Sequence, residues 1–421
     1  MPVDYDLVVI GDSFEGIYAA TTAAYLNARV ALVASPQPQP TGSAETIYSR
    51  TLARVAHGLR REEEAAFWEA SPPKKDSKES WTKAVALAQE VTATLSAENS
   101  LEMLAVLGVD VLIGKGEFCR LPQQAFVVDR RKLRSRAYLL ATGSVPLVPP
   151  IAGLSELGYL TPTALWQARD RSSLPHRLAI LGNTPIAVEL AQSLTRMGKE
   201  VSLILQGDRI LPAEDLEAAF WLQCYLEAEG VRIFPQASVT QARKIDAQKW
   251  ILAGNKAIEA DEILVACGQA PDVEGLNLEG VGVKRRSRCI ETNAKLQTTN
   301  PQIYACGSLL GGYNLAHMAC YEAEIAVKNA LFWPRWTVDY RCIPQAIFTE
   351  PNLARVGMSE RQARDRYGEE AIAVRHYYKH LPQALISEET TGFCKLVLRT
   401  DGEILGAHLV GAQAAESIAT V

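Results

Sequence analysis

Two strand–glycine turn–helix–strand runs lie about 170 residues apart, and a C-terminal region alternates strands with one helix. Together they predict an α/β protein with two doubly wound, dinucleotide-binding domains followed by a smaller α+β domain. A length of 421 residues agrees, since about 150 residues per domain gives two or three domains.

The first run is the most legible. Leu7-Val-Val-Ile10 is a short apolar stretch of the kind buried in a parallel sheet. Gly11-Asp-Ser-Phe-Glu-Gly16 turns the chain into a small-residue helix, Ile17 to Asn27, and Arg29-Val-Ala-Leu-Val33 is the next strand. That is a βαβ unit whose glycine turn sits at the carboxyl end of a strand, where backbone N–H groups and a helix N-terminus attract a pyrophosphate. The second run repeats it: strand Arg177 to Leu181, turn Gly182-Asn-Thr-Pro-Ile-Ala187, a helix through Met197, and strand Val201 to Leu205. A doubly wound fold without a dinucleotide is the plain alternative.

Between the runs, Ala70 to Ser80 is polar and contains Pro-Pro, so an exposed loop is expected there, with a helix resuming from Trp81 to Leu95. Pro146 to Pro150 reads as a domain crossing. From Tyr340 onward, the strands Phe393 to Leu398 and Ile404 to Val410, with the helix Glu360 to Arg366, form the α+β region.

Composition excludes several classes. With 43 Lys+Arg against 48 Asp+Glu, the net charge of −5 argues against general nucleic-acid binding. No stretch approaches the roughly 20 apolar residues of a membrane span. Asp4 and Asp6 stand where a secretion signal is basic, so a cytoplasmic protein is expected. The eight cysteines begin at Cys119 and show no C-x-x-C or C-x-x-x-x-C spacing, which leaves neither a zinc-type pairing nor a disulfide framework.

Further motifs follow in order: Leu139-Leu-Ala-Thr-Gly-Ser144, Glu262-Ile-Leu-Val-Ala-Cys-Gly268, Ile303-Tyr-Ala-Cys-Gly307, Leu315-Ala-His317 with Glu322, Phe348-Thr-Glu-Pro351, Ala354-Arg-Val-Gly357 and Gly406-Ala-His-Leu-Val-Gly411. This collinear set resembles the pyridine nucleotide–disulfide oxidoreductases, the flavoproteins related to glutathione reductase, dihydrolipoamide dehydrogenase and mercuric reductase. The resemblance implies two Rossmann-like dinucleotide-binding domains plus a C-terminal α+β interface domain. The implied division is 1–150 for the first part of an FAD domain, 151–268 for an NAD(P) domain, 269–338 for the return of the FAD domain, and 339–421 for a shortened dimerisation-type domain. FAD and NAD(P)H are the implied cofactors, a small-molecule electron acceptor the implied partner, and a homodimer the implied assembly.

By the same resemblance, Gly11, Ser13, Gly16, Thr142, Gly143, Gly307 and Ser308 fall on flavin-contacting positions, and Gly182, Thr184 and Ala187 on nicotinamide-nucleotide positions. Glu189 falls on a glutamate beside the flavin and Arg50 on the lysine that pairs with it; a solvated helix residue is the plain alternative for Glu189. Ser13 replaces the middle glycine of the first fingerprint, leaving a hydroxyl to donate to a phosphate oxygen. Ala34 stands where an acid holds the adenosine ribose, and Ser308 where the family has an aspartate. At the second site Leu205 and Gln206 choose neither NADH nor NADPH, and Arg209 is either a 2′-phosphate contact or a surface residue.

The family's exit for electrons is a C-x-x-x-x-C disulfide, and Thr41 and Thr46 fall on its two positions. A threonine hydroxyl cannot cycle between thiolate and disulfide, so thiol–disulfide exchange by this route is excluded. The family's His-Pro acid–base element is also unmatched: none of the six histidines precedes a proline, and Val421 is reached before the motif is due. Cys267 and Cys306 remain as substitute thiols, with buried structural cysteines as the plainer reading; His317 likewise is either a site residue or a capping histidine. Two functions are therefore expected to compete. One is an FAD-dependent NAD(P)H oxidoreductase that passes electrons to a quinone, metal, dye or oxygen; the other is a non-catalytic scaffold built on the same fold.

Overall fold

The computed structural model describes residues 3–36, 42–69, 77–120, 123–167, 174–246, 248–312 and 315–421. The chain forms two compact units. The first gathers 1–47, 89–147 and 269–338; the second gathers 48–88, 148–268 and 339–421.

In the first unit, β1 (Tyr5–Ile10) is followed by α1 (Phe14–Tyr25) and β2 (Val30–Ala34). β3 (Asp110–Ile113) and β4 (Ser135–Leu140) complete the sheet with the short strand Ile303–Ala305. The five strands are parallel, and β1 lies between β2 and β4. Parallel strands covered on both faces read as unbroken apolar runs, and Leu7, Val8 and Val9 are fully buried. Alanines 19, 20 and 23 of α1 are buried with them, since only small residues let the helix lie close to the sheet.

The second unit repeats the plan. β5 (Arg177–Leu181), α2 (Pro185–Arg196) and β6 (Glu200–Ile204) form its βαβ core, extended by β7 (Arg232–Phe234) and β8 (Glu262–Val265). The order is β7-β6-β5-β8, all parallel, so β5 has neighbours on both sides as β1 does. Adjoining strands leave in opposite directions at β1 and at β5, which opens a crevice at each strand's carboxyl end. The same unit contains the five-stranded antiparallel sheet Gln345–Ile347, Asn352–Gly357, Ile404–Gly411, Phe393–Arg399 and Ala371–Tyr377, in that spatial order. The helix Glu360–Tyr367 opens with a reciprocal cap, the Ser359 hydroxyl accepting from the Gln362 N–H while the Gln362 side chain accepts from the Ser359 N–H.

The expected loop at 70–80 is corrected in part: Ser77–Ser80 already belong to the helix Ser77–Glu98, while 70–76 lie outside the described residues. Serine at 77 and glutamate at 79 suit a first helical turn, where an acid faces the positive end of the peptide dipoles. In the second unit, Trp166 stacks between Trp81 (5.1 Å) and Tyr48 (5.3 Å), which sets both in that unit's core. Among the described residues no helix is long and apolar enough to cross a membrane.

Candidate nucleotide sites

The two glycine turns are built alike. Gly11 follows β1 with φ +112°, and a Cβ there would stand 2.2 Å from the Ala141 carbonyl oxygen. Gly182 follows β5 with φ +138°, and a Cβ there would stand 2.2 Å from the Ala266 carbonyl oxygen. Only glycine meets both the dihedral and the close approach of the neighbouring strand's end. The residues two places on also match. Ser13 Oγ accepts the Gly16 N–H (3.3 Å) and donates to the Ala141 carbonyl (2.8 Å). Thr184 Oγ1 accepts the Ala187 N–H (3.3 Å) and donates to the Ala266 carbonyl (2.9 Å).

Each hydroxyl therefore caps its helix and ties the turn to the next strand. This corrects the expectation that the Ser13 hydroxyl donates to a phosphate: its one proton is committed to Ala141. What a ligand meets at these turns is backbone N–H and the helix dipole, worth a few tenths to about 1 kcal/mol per charge at an exposed end.

Around the first turn, Thr142 Oγ1 donates to the Asp272 carbonyl (2.5 Å), and the Gly143 carbonyl accepts the Asp272 N–H (3.1 Å). Gly307 begins a short helical turn, Gly307–Leu310, and gives its N–H to Glu322 Oε2 (2.7 Å) inside the core. Thus Glu322, from the helix Ala316–Leu331, shapes the turn that carries Ser308. Ala34, the last residue of β2, is buried, while the neighbouring Ser35 N–H reaches Asp12 Oδ1 (3.2 Å).

Glu15, the second residue of α1, is 7 % exposed, and burial pushes its carboxyl group above the usual carboxylate range. The Cβ-free cradle at Gly11 and the N-terminal end of α1 fit a dinucleotide; the carboxylates of Asp12 and Glu15 oppose an anion there, and Glu15 is the buried one of the two.

In the second unit Glu189 is buried on α2, so it is not a solvated helix residue. Its carboxylate accepts from the Ser49 hydroxyl (2.6 Å) and the Phe348 N–H (2.9 Å), and burial raises its affinity for a proton. Arg50 acts on Glu189 only through its field; its guanidinium lies over the Phe348 ring, 3.8 Å from the centroid. The expected Arg50–Glu189 pair is therefore indirect, because a planar guanidinium finds an aromatic face where an ammonium would seek the carboxylate. One turn further along α2, Gln192 holds Glu350 by both its carbonyl (2.5 Å) and its N–H (2.8 Å). Sequence reasoning missed Ser49, which has no motif of its own and meets Glu189 across 140 residues of chain. It also passed over Glu15, whose signal was a carboxylate inside a phosphate-type turn.

Arg209 Nη2 donates to the Pro212 carbonyl (3.2 Å), so it is partly committed to its own loop. The thiols are unsuited to replace a redox pair. Burial pushes Cys267 up to about 11 and Cys306 well above its ordinary value, Glu15 and Glu322 adding to the effect at Cys306. A thiol held in this way supplies almost no thiolate at neutral pH. Thr41 lies outside the described residues, and Thr46 sits in the helix Gly42–Glu69.

Two repeated nucleotide turns, one in each unit, define an oxidoreductase platform of the two-dinucleotide class. The chain belongs to the pyridine nucleotide-disulphide oxidoreductase family: that family's model matches residues 5–323 and the model of its dimerisation domain matches 343–421. Mercuric reductase of Staphylococcus aureus is 30% identical over 430 residues, covering 99% of this chain and 76% of the relative. Dihydrolipoyl dehydrogenase of Bacillus subtilis (strain 168) is 30% identical over 427 residues, covering 98% and 90%. Among solved structures, the Cu(II) complex of the HOCl-induced flavoprotein disulfide reductase RclA from Escherichia coli superposes with a TM-score of 0.83 at 26% identity, covering 99% and 91%. LpdA from Mycobacterium tuberculosis gives 0.84 at 25% identity, covering 98% and 92%. Enzymes of this family are FAD-dependent and use NAD(P)H, and this chain is accordingly a flavin-dependent NAD(P)H oxidoreductase.

Proposed function

We propose that the chain passes electrons from NAD(P)H, through FAD, to a small-molecule acceptor other than a disulfide: a quinone, a metal ion, a dye or oxygen. The observation that carries this reading is the pairing of two intact nucleotide turns with a chain whose first cysteine is Cys119. Bound FAD supplies the capacity to accept a hydride and release electrons singly or in pairs. The protein's part is to hold and orient. Gly11, Ser13 and Gly16 form the first turn, Thr142, Gly143, Gly307 and Ser308 its surroundings, and Gly182, Thr184 and Ala187 the second turn. Glu189 and Arg50 are assigned to the nicotinamide side, with Glu189 also fixing Phe348. The segment 343–421 is assigned to a homodimer interface, on the description of the model it matches.

The test is an anaerobic titration of the FAD-supplemented protein with NADH and then NADPH, followed by a panel of the four acceptor types. Bleaching of the flavin band, and turnover that arsenite does not inhibit, are expected, because arsenite blocks only paired thiols. Inhibition by arsenite, or a flavin band that neither nucleotide bleaches, refutes the proposal.

A further inference from the structure

The α1 N-terminus already has an anion of its own. The positive end of a helix following a glycine turn is where a dinucleotide's pyrophosphate is held. Of the first N–H groups of α1, that of Gly16 is taken by Ser13 Oγ. The Glu15 carboxylate draws on its own backbone N–H and on the Ser308 N–H, and these hydrogen bonds favour its charged form. It folds inward and does not extend into solvent. A Cβ on Gly307 would stand 2.3 Å from Glu15 Oε1 and 2.7 Å from Cδ, so the carboxylate lies directly against the start of the Gly307–Leu310 turn. It thus gathers N–H groups from two helical beginnings at once.

The second nucleotide turn is an internal control. Gly11 corresponds to Gly182, Ser13 to Thr184 and Gly16 to Ala187, so Glu15 corresponds to Ile186. Ile186 packs against the apolar core of its unit and brings no charge. The two turns agree in dihedral, in close approach and in both hydroxyl bonds. The first adds two carboxylates, Asp12 (Asn183 in the second), which accepts the Ser35 N–H, and Glu15, which of the two is the buried one.

We propose that Glu15 is a built-in anion that competes with the FAD pyrophosphate for the α1 N-terminus, so that this chain holds FAD as an exchangeable ligand. The inference rests on the flavin reading of the first unit and adds to it how tightly, and under what conditions, the flavin is held. Two negative groups cannot share one set of N–H donors, so binding requires Glu15 to swing away or to take up a proton. Burial favours the second course. The other titratable groups at this place are Asp12 in the turn, Glu322 and Cys320 from the helix Ala316–Leu331, and Cys306 before the Gly307 turn; burial holds both thiols neutral, and Glu322 is engaged by the Gly307 N–H. A neutral Glu15 releases the N–H groups, so FAD affinity rises as pH falls.

The experiment is a titration of the full-length apoprotein with FAD, followed by flavin fluorescence between pH 5.5 and 8.5, for the wild type, Glu15→Gln and Glu15→Gly. Both variants are expected to bind FAD at least ten times more tightly than the wild type at pH 7.5. Wild-type affinity is expected to climb on acidification while the variants stay flat. NADH and NADPH affinities measured on the same samples are expected to be equal across the three proteins, which reports that the second unit is intact. If a variant fails to fold, the wild-type pH slope alone decides. Wild-type FAD affinity that equals or exceeds that of the variants, or that does not change with pH, overturns the inference and leaves the flavin reading standing. Absence of FAD binding by all three proteins at every pH overturns both.

Discussion

Replacing Glu189 by Ala separates the structural from the electrostatic part of its role. The carboxylate is the acceptor for a buried hydroxyl, Ser49 at 2.6 Å, and a backbone N–H, Phe348 at 2.9 Å. Alanine leaves the Phe348 N–H without that acceptor, at about 1–3 kcal/mol, and Ser49 with a weaker alternative, at about 1 kcal/mol. Removing a buried charge returns part of this, so a net loss of about 2–3 kcal/mol is expected. Glu189→Gln keeps an acceptor for Phe348, and the Ser49 hydroxyl can turn its lone pair to the amide, so its stability at neutral pH is expected within about 1 kcal/mol of the wild type.

The two variants should also differ from the parent in pH dependence. Burial raises the Glu189 pKa above its ordinary 4.5, so the folded chain binds this proton more tightly than the unfolded chain. Stability from this group is therefore highest at acid pH and falls as pH rises from the ordinary value through the raised one. Glu189→Gln removes that slope. The assay is urea unfolding followed by tryptophan fluorescence, to which the second unit contributes five of the seven tryptophans, at 68, 81, 166, 221 and 250. At about 2–3 kcal/mol per molar urea, the alanine variant shifts the midpoint down by about 1 M. Equal midpoints for Ala and Gln, or a wild-type slope that survives in Glu189→Gln, would refute this account.

Three further outcomes are expected. Ser13→Ala and Thr184→Ala each remove a helix cap and a tie to the next strand, so each should lower stability by about 1–2 kcal/mol, measurable as a fall in Tm, with matching values because the two turns match. Arg196 is 8 % exposed at its side chain and pairs with Glu229 and Glu350, which also meet Arg60 and His57; Arg196→Ala removes one partner from each carboxylate and should cost about 2–3 kcal/mol by the same urea assay. A chromogenic disulfide reagent at pH 7.5 should label the exposed Cys224 and Cys342 first and reach Cys306 only on unfolding, as counted by peptide mapping; rapid labelling of Cys306 in the native protein would contradict its burial.

Much of the architecture follows from local pattern. Leu7 to Ile10 and Arg177 to Leu181 could only be buried parallel strands, and each is followed by a glycine that no other residue can replace. Element type was legible there because apolar runs and turn chemistry are properties of neighbouring residues. The start of the helix at Ser77 was less so, since a polar, proline-containing stretch gives no period to read.

By itself the sequence determined two glycine turns, a C-terminal α+β region, and a first cysteine as late as Cys119. Tertiary structure alone decided what the substituted residues do. Ser13 and Thr184 looked like weakened phosphate sites and proved to be caps tied to Ala141 and Ala266. Arg50 and Glu189 looked like an ion pair, yet each found a different partner, with Phe348 supplying a ring to one and an N–H to the other. Glu15 carried no reading in the sequence and lies buried against Gly307. Each of these contacts joins residues far apart in the chain. The donors and acceptors involved have several partners available locally, and only the packed fold selects one.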